Sequence, residues 1–287
     1  MRKLPKPTDH LGVPFVARDV FRLCISRVRQ IDLRNRLKSI EDDVAKAAAK
    51  FDLSAGSATL HQIARSADVA GKVTKDEMVA VYVGRMVPST QPGRPVYDRI
   101  KNGAPLTRCP LCDVGVVTTL DHHLPKSKYP ALTVAPNNLV PSCTWCQRAK
   151  DNWFPKAVEE QILHPYFDDF EGEVWLHADV VEVAPAVFEF SAAPPEAWDQ
   201  VRTDRAKTHL KTFDLDVLYT SNAGQELANI RKRLADLYAI GGADAVRAHL
   251  VDEAATRSHA RLNSWQSAMY SAAADSEWFC EGGFAGV

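Results

Sequence analysis

Three segments close together in the chain decide its fold: CPLC at 109–112, TTLDHHLPKS at 118–127 and NNLVPSCTWCQRAK at 137–150. The first and third segments each contain a Cys-x-x-Cys pair, and the histidine-containing segment lies between them. A pair with this spacing supplies two thiolates from one tight turn, and structural zinc takes four ligands in a tetrahedron. The spacing therefore predicts a closed structural zinc site made of Cys109, Cys112, Cys143 and Cys146.

The cysteine count supports zinc over disulfides. The chain has six cysteines in 287 residues, and its N-terminal segment is too charged for a signal peptide. A disulfide framework is therefore not expected. The alternatives to zinc are unrelated buried thiols or two redox pairs. Cys24 and Cys280 stand apart from the others, and we predict that both are small core residues.

A zinc ion held by four thiolates has no open position for substrate, so any chemistry must come from the residues between the cysteine pairs. Those residues resemble the HNH endonuclease family. The resemblance covers about 45 residues, and it implies a ββα-metal fold. The matching residues are Asp121-His122, Pro125-Lys126-Ser127, Asn138-Leu139, the Cys143/Cys146 pair, Gln147 and Lys150.

The resemblance implies a role for each of these side chains in phosphodiester hydrolysis. His122 would be the general base that deprotonates water, a task suited to the unperturbed pKa of histidine. Asp121 would bind Mg²⁺ at the scissile phosphate. Asn138 would hold the loop that carries the base, and Lys150 would reach a phosphate. Gln147 occupies a metal-ligand position where the family has His or Asn.

Two alternatives stay open within this motif. His122 could bind the metal while His123 acts as the base, although Pro125 fits the family pattern better when His122 is the base. Neighbouring residues of a strand point to opposite faces, so His123 would then face away from His122. His164 or Asp168, in the sequence HPYFDD, could add a ligand to the weak Gln147 position; a capped turn is the default interpretation.

Charge is distributed unevenly, although the net charge is −1. Residues 1–40 hold ten Lys or Arg against three Asp, and residues 157–199 hold eleven Asp or Glu and no Lys or Arg. The basic face could attract a phosphate backbone or could simply be solvated. The acidic stretch should point away from nucleic acid or toward a basic partner. No apolar run is long enough to span a membrane, so we expect a cytoplasmic protein.

Hydrophobic periodicity predicts the remaining elements. Most of them are helical. The helices are expected over 17–51 with a break near 30–32, and over 73–87, 142–151, 198–213, 225–240, 243–258 and 262–279. Strands are expected at 114–120 and 121–124 as a pair, and at 173–183 and 186–190 as a hairpin. Gly241-Gly242 is a predicted helix stop, and the aromatic residues of 262–279 are expected in the core.

The predicted fold class is α+β, with the zinc-bound ββα-metal module embedded between helical regions. The expected domains are a basic helical region (1–100), the HNH module (101–172) and a hairpin-plus-helices region (173–287). The implied activity is Mg²⁺-dependent endonucleolytic cleavage of DNA. An RNA-cleaving nuclease and a non-catalytic, zinc-stabilised nucleic-acid- or protein-binding module are the alternatives.

The wider layout resembles a group of bacterial HNH proteins of Septu-type anti-phage defence systems. The shared features are the basic start, LDHHLPKSKYP, NNLVPSC, HPYFDD and SEWFCEGGF. This resemblance implies an antiviral role and an ATPase partner that gates the nuclease. The acidic stretch 157–199 is a candidate contact for that partner.

Overall fold

A computed structural model describes residues 1–285. The chain divides into two compact units, Met1–Asp169 and Phe170–Val287. The described elements are helices and three two-stranded antiparallel sheets, so the predicted α+β class is confirmed. The expected division into three domains, with a boundary at residue 100, stays a prediction.

In the first unit, α1 (Ala17–Ile25), α2 (Ile31–Lys38) and α3 (Glu41–Gly56) replace the long helix predicted over 17–51. The break between α1 and α2 matches the one predicted near 30–32, and a second break separates α2 from α3. Val20, Phe21 and Cys24 face the core from α1, in agreement with the helical spacing. Cys24 is fully buried, and so is Cys280 in the second unit, so both are core residues as expected.

Part of the basic N-terminal face is used inside the first unit. Arg18 pairs with Asp42 and Arg22 with Glu41, which ties α1 to α3. Arg36 of α2 donates two hydrogen bonds to the Glu77 carboxylate. The carboxylate partly neutralises each paired arginine, so these arginines attract a phosphate backbone less strongly.

The rest of the first unit carries the predicted motif. A short β1 (Asp68–Val69) and β2 (Val73–Thr74) precede α4 (Lys75–Val81), which continues as a π-helical turn over Tyr82–Met86. After α5 (Arg94–Lys101) come β3 (Thr119–His122), β4 (Leu139–Ser142) and α6 (Thr144–Lys150). Leu120 of β3 and Leu139 of β4 join the same hydrophobic core as α1, α4 and α5.

The predicted pairing of 114–120 with 121–124 is wrong. β3 instead pairs with β4, and Asp121 lies opposite Val140 while His122 lies opposite Leu139. Buried apolar side chains on both strands favour this non-local pairing: Leu120, Leu139 and Val140 are each at most 2% exposed. The local alternation of the sequence could not reveal a partner on the far side of an intervening loop.

The second unit is a β-hairpin with helices. β5 (Leu176–Val181) and β6 (Val187–Ala192) form the predicted hairpin, followed by α7 (Gln200–Thr212), α8 (Leu215–Ala260) and α9 (Trp265–Asp275). The α8 helix is interrupted at Gly241 and Gly242, as predicted, and it begins at Leu215, well before the predicted start at 225. Tyr270 and Phe279 are buried, as expected for the aromatic residues of 262–279, whereas Trp265 and Trp278 are only partly buried.

The hairpin shows where part of the acidic stretch lies. Asp179 and Glu189 are directly opposite each other, and both are exposed. Like charges in this arrangement destabilise a strand pair, and a cation bound nearby would relieve the repulsion. Among residues 1–285, no helix is both long and apolar enough to cross a membrane.

Candidate metal centre and adjoining catalytic motif

The four cysteines of the two pairs meet in a buried cluster. Their sulfur atoms all lie within 4.8 Å of one another, and the Sγ atoms of Cys112 and Cys143 are 3.8 Å apart. A regular tetrahedron with Zn–S bonds of about 2.3 Å has edges of about 3.8 Å. The cluster therefore has the size and the donor set that a zinc ion requires.

Local backbone structure positions the sulfur atoms. The Cys109 N–H donates to the Gly115 carbonyl, and the Gly115 N–H points at the Cys112 sulfur, so 109–115 closes into a turn. Asp113 takes a left-handed conformation (φ 57°) at the tip of this turn. The second pair begins α6: Cys143 is the residue that caps the helix, and its sulfur accepts from the Cys146 N–H.

The thiols influence each other's ionisation strongly. Hydrogen bonds from Cys109, Cys112 and Cys146 lower the pKa of Cys143. Hydrogen bonding to Cys109 and Cys143, together with burial, raises the pKa of Cys112 well above its ordinary value. Four buried thiolates need a cation among them, because their mutual repulsion otherwise keeps protons on some of the sulfurs.

Gly115 provides a test of the cluster that leaves the cysteines in place. A Cβ atom at this position would lie 2.6 Å from both Cβ and Sγ of Cys143, too close for real atoms. We expect Gly115→Ala to displace Cys143 and to lower zinc content by more than about half, since zinc needs all four ligands in place. Elemental analysis of the purified variant measures this. Gly84→Ala is the control, because nothing lies within 4 Å of its added Cβ; equal zinc in both variants would contradict the expectation.

Asp121 lies beside a buried lysine. The Lys150 Nζ atom is 3.0 Å from Asp121 Oδ2, and it also donates to the His122 carbonyl at 2.7 Å. The lysine side chain is 1% exposed and that of the aspartate 12%. Asp121 Oδ1 makes no hydrogen bond with any residue in 1–285. One carboxylate oxygen is thus paired, and the other is available to a further ligand.

His122 is buried, with 3% of its surface exposed. Its Nε2 atom lies 2.8 Å from the Thr133 carbonyl oxygen, and its ring packs edge-on against Tyr82 with centroids 4.5 Å apart. A carbonyl oxygen only accepts, so this contact assigns the proton to Nε2 and leaves the lone pair on Nδ1. Burial, together with the charges of Lys126 and Lys150, lowers the pKa of His122 to about 3. The imidazole is therefore neutral at pH 7.

His123 has different neighbours from His122, in agreement with strand alternation. Its ring lies 4.1 Å from that of His164 and edge-on to Phe51. His164 Nε2 is 3.0 Å from the Asn137 carbonyl, and Asp168 accepts from the His164 backbone N–H at 2.7 Å. Asp168 thus caps a turn. Within the described chain, only the four cysteines bring three or more Cys, His, Asp or Glu donors together as a candidate metal group.

Asn138 holds the loop that follows His122. The Asn138 side chain is fully buried: its Oδ1 accepts from the Leu124 N–H at 2.8 Å, and its Nδ2 donates to the carbonyls of Leu124 and Leu132. The His123 N–H donates in turn to the Asn138 carbonyl. This one side chain therefore ties both ends of the 124–132 loop to β4.

We expect Asn138→Ala to lower the free energy of unfolding by about 3 kcal/mol, because it leaves the buried N–H and carbonyl of Leu124 without partners and removes one of the two donors to the Leu132 carbonyl. Urea denaturation measures the change. Asn137→Ala is the neighbouring control. The Asn137 side chain makes one partly buried hydrogen bond to Asp52, so its loss should cost about 1 kcal/mol. Equal losses would show that Asn138 does not hold the loop.

Gln147 lies on α6, one turn before Lys150, and is half-buried. Its backbone N–H donates to the Cys143 carbonyl, which connects this position directly to the four-cysteine cluster. The β3–β4–α6 order therefore brings Asp121, His122, Asn138 and Lys150 together and leaves Gln147 on the adjoining turn.

The chain is similar to Protein ea31 of Escherichia phage lambda. The two are 28% identical over 242 residues, which cover 80% of this chain and 79% of that protein. That protein's name states no activity. No protein-family model matches the chain, and no solved structure matches it.

Two residues near His122 were not recognisable from the sequence as functional residues. Tyr82 comes from the π-helical turn that precedes α5, and only folding brings its ring to His122. Lys126 belongs to the motif without an implied role, yet its charge acts on His122 and its Nζ lies 5.7 Å from the Tyr82 ring centroid. In the sequence, Lys126 was indicated only by its place in the Pro125-Lys126-Ser127 part of the motif.

Proposed function

We propose that this protein is a metal-dependent HNH endonuclease that hydrolyses phosphodiester bonds of DNA. One observation carries the proposal: at the end of β3, the Asp121 carboxylate, with one oxygen free of hydrogen bonds within residues 1–285, is followed directly by the neutral His122, and Lys150 of α6 contacts the Asp121 carboxylate and the His122 backbone carbonyl. The order β3–β4–α6, beside a four-cysteine cluster, is the arrangement that the motif implies.

The proposed chemistry assigns each group one task. His122 accepts a proton from water at Nδ1, because Nε2 is held by the Thr133 carbonyl. Lys150 neutralises the Asp121 carboxylate through its contact with Oδ2 and is itself held by the His122 backbone carbonyl. Asn138 keeps the loop behind the histidine rigid. Mg²⁺, when bound, supplies positive charge at the scissile phosphate.

The residues present suit a magnesium ion held partly by substrate. Magnesium sites that act on phosphates commonly use one or two carboxylates plus phosphate oxygens and water. Asp121 Oδ1 and the amide oxygen of Gln147 are the proposed protein ligands. The four-cysteine cluster has no place in this role, since four thiolates suit zinc and close its coordination.

The test is plasmid cleavage with and without Mg²⁺, with Asp121→Asn as the variant. We expect nicking or linearisation that requires Mg²⁺, and Asp121→Asn should abolish it and weaken Mg²⁺ binding in calorimetry. Asp151→Asn is the control, because this exposed carboxylate lies one residue after Lys150. Magnesium should be omitted rather than chelated, since EDTA would also remove zinc. Unchanged Mg²⁺ affinity in Asp121→Asn would refute the role of that residue.

We also propose an antiviral role and an ATPase partner, and both rest on the sequence resemblance alone. The exposed Asp179 and Glu189 supply the acidic face that a basic partner surface would contact. Affinity purification from the native host tests this, and recovery of no ATPase would contradict it.

A further inference from the structure

A cavity of about 720 Å³ lies in the first unit, and Ser127, Lys128 and Tyr129 of the loop that follows His122 line part of it. Four cations line it, and no Asp or Glu does. The cations come from separate segments: Arg65, Lys75, Lys128 and Lys156. Tyr129 and Phe154 supply its aromatic wall.

Two of these cations contact the same aromatic ring. Arg65 lies 5.0 Å and Lys128 5.3 Å from the centroid of the same Phe154 ring. Neither forms an ion pair with any described carboxylate. A ring attracts each cation by its quadrupole, yet the two cations repel each other. An anion bound in the cavity would remove this repulsion.

The cavity and the catalytic motif share one loop. Lys126 lies over the Tyr82 ring, and its charge lowers the pKa of His122. The next two residues, Ser127 and Lys128, line the cavity. Ser127 also donates to the Asn152 side chain, and the Lys128 carbonyl accepts from the Ser66 N–H. These bonds fix the loop to the segments on both sides. This fixed loop therefore connects the cavity lining to the segment that carries His122.

We propose that this cavity binds the phosphate backbone of a nucleic-acid strand and presents the adjoining phosphodiester to His122. Four cations on separate segments match a polymer with regularly spaced charges better than one small anion. The Phe154 ring holds two of these cations in the cavity wall, so it fixes where they meet a phosphate backbone. The inference rests on the proposed nuclease function and deepens it by naming the substrate-binding surface.

The test is fluorescence anisotropy of a labelled single-stranded 20-mer and its duplex, with the full chain and no added Mg²⁺. We expect Arg65→Ala/Lys128→Ala to raise Kd by about tenfold and, for the single strand, to reduce the salt-dependence slope by about 1.4, since each phosphate contact contributes about 0.7. Phe154→Leu should weaken binding while it keeps all four charges. The matched control is Lys207→Ala/Lys211→Ala, which removes two exposed charges from α7.

Competition experiments distinguish a nucleic-acid strand from free phosphate or a mononucleotide as the ligand of the cavity. Unlabelled strand should displace the probe, whereas inorganic phosphate and a deoxynucleoside monophosphate should do so only at millimolar concentration. Displacement by the mononucleotide as readily as by the strand would overturn the strand assignment. Equal Kd changes in the cavity and control variants, or no binding by the unaltered chain, would overturn it as well.

The binding assay tests the cavity proposal, and the cleavage assay tests the nuclease proposal separately. Normal strand binding by the cavity variants, with cleavage that persists, would refute the cavity and leave the nuclease proposal intact. Loss of binding in the cavity variants, with no Mg²⁺-dependent cleavage by the unaltered chain, would support the cavity and refute the nuclease.

Discussion

The purified chain is expected to carry about one zinc ion per molecule, and Cys112→Ser is expected to remove it. Cys112 is fully buried within the cluster, so a serine there leaves three thiolates around the metal. Zinc-finger peptides gain about 10–16 kcal/mol from their metal. The first unit has other cores, so we expect a smaller loss of about 4 kcal/mol and a decrease in Tm of about 10 °C.

Elemental analysis and thermal unfolding measure these two effects. Cys24→Ala is the matched control, because Cys24 is a fully buried thiol outside the cluster. It should keep its zinc and lose about 1 kcal/mol from the small cavity. An unaltered chain that folds with the same Tm without zinc as with added zinc would refute the zinc prediction.

His122→Ala is expected to reduce Mg²⁺-dependent cleavage by about 10²–10⁴-fold, the usual contribution of a general base. The zinc content should not change, since His122 lies outside the four-cysteine cluster. The variant also leaves the buried Thr133 carbonyl without its donor, so a loss of stability could imitate a loss of chemistry. His122→Gln addresses this, because its amide can still donate to the carbonyl but cannot accept the proton from water.

His123→Ala decides between the two histidines. The His123 ring packs against His164 and Phe51, so its removal should lower stability with a smaller effect on the rate of cleavage. Cleavage that survives in His122→Ala and disappears in His123→Ala would move the general base to His123. Equal cleavage by both variants and the unaltered chain would point to a contaminating nuclease.

Local sequence patterns correctly predicted those elements that depend on only a few neighbouring residues. The break near residues 30–32, the Gly241-Gly242 interruption and the β5–β6 hairpin are all present. Glycine and proline change backbone preferences locally, which explains the Gly241-Gly242 interruption and the hairpin turn at Ala184-Pro185. The pairing of 114–120 with 121–124 failed because the partner of β3 is selected by shared burial with β4 across an intervening loop.

Spacing in the sequence by itself determined which four cysteines would meet, because two Cys-x-x-Cys turns have few ways to bring four thiols together. The Asp-His and Asn positions came from the resemblance to the HNH family, and their roles stay predictions. The fold alone decided their environment. In the folded chain, Lys150 is buried against Asp121, and the Tyr82 ring packs against His122. Arg65 and Lys128 both contact the Phe154 ring. Such contacts join distant segments, and they depend on how whole hydrophobic faces pack together, which no local pattern encodes.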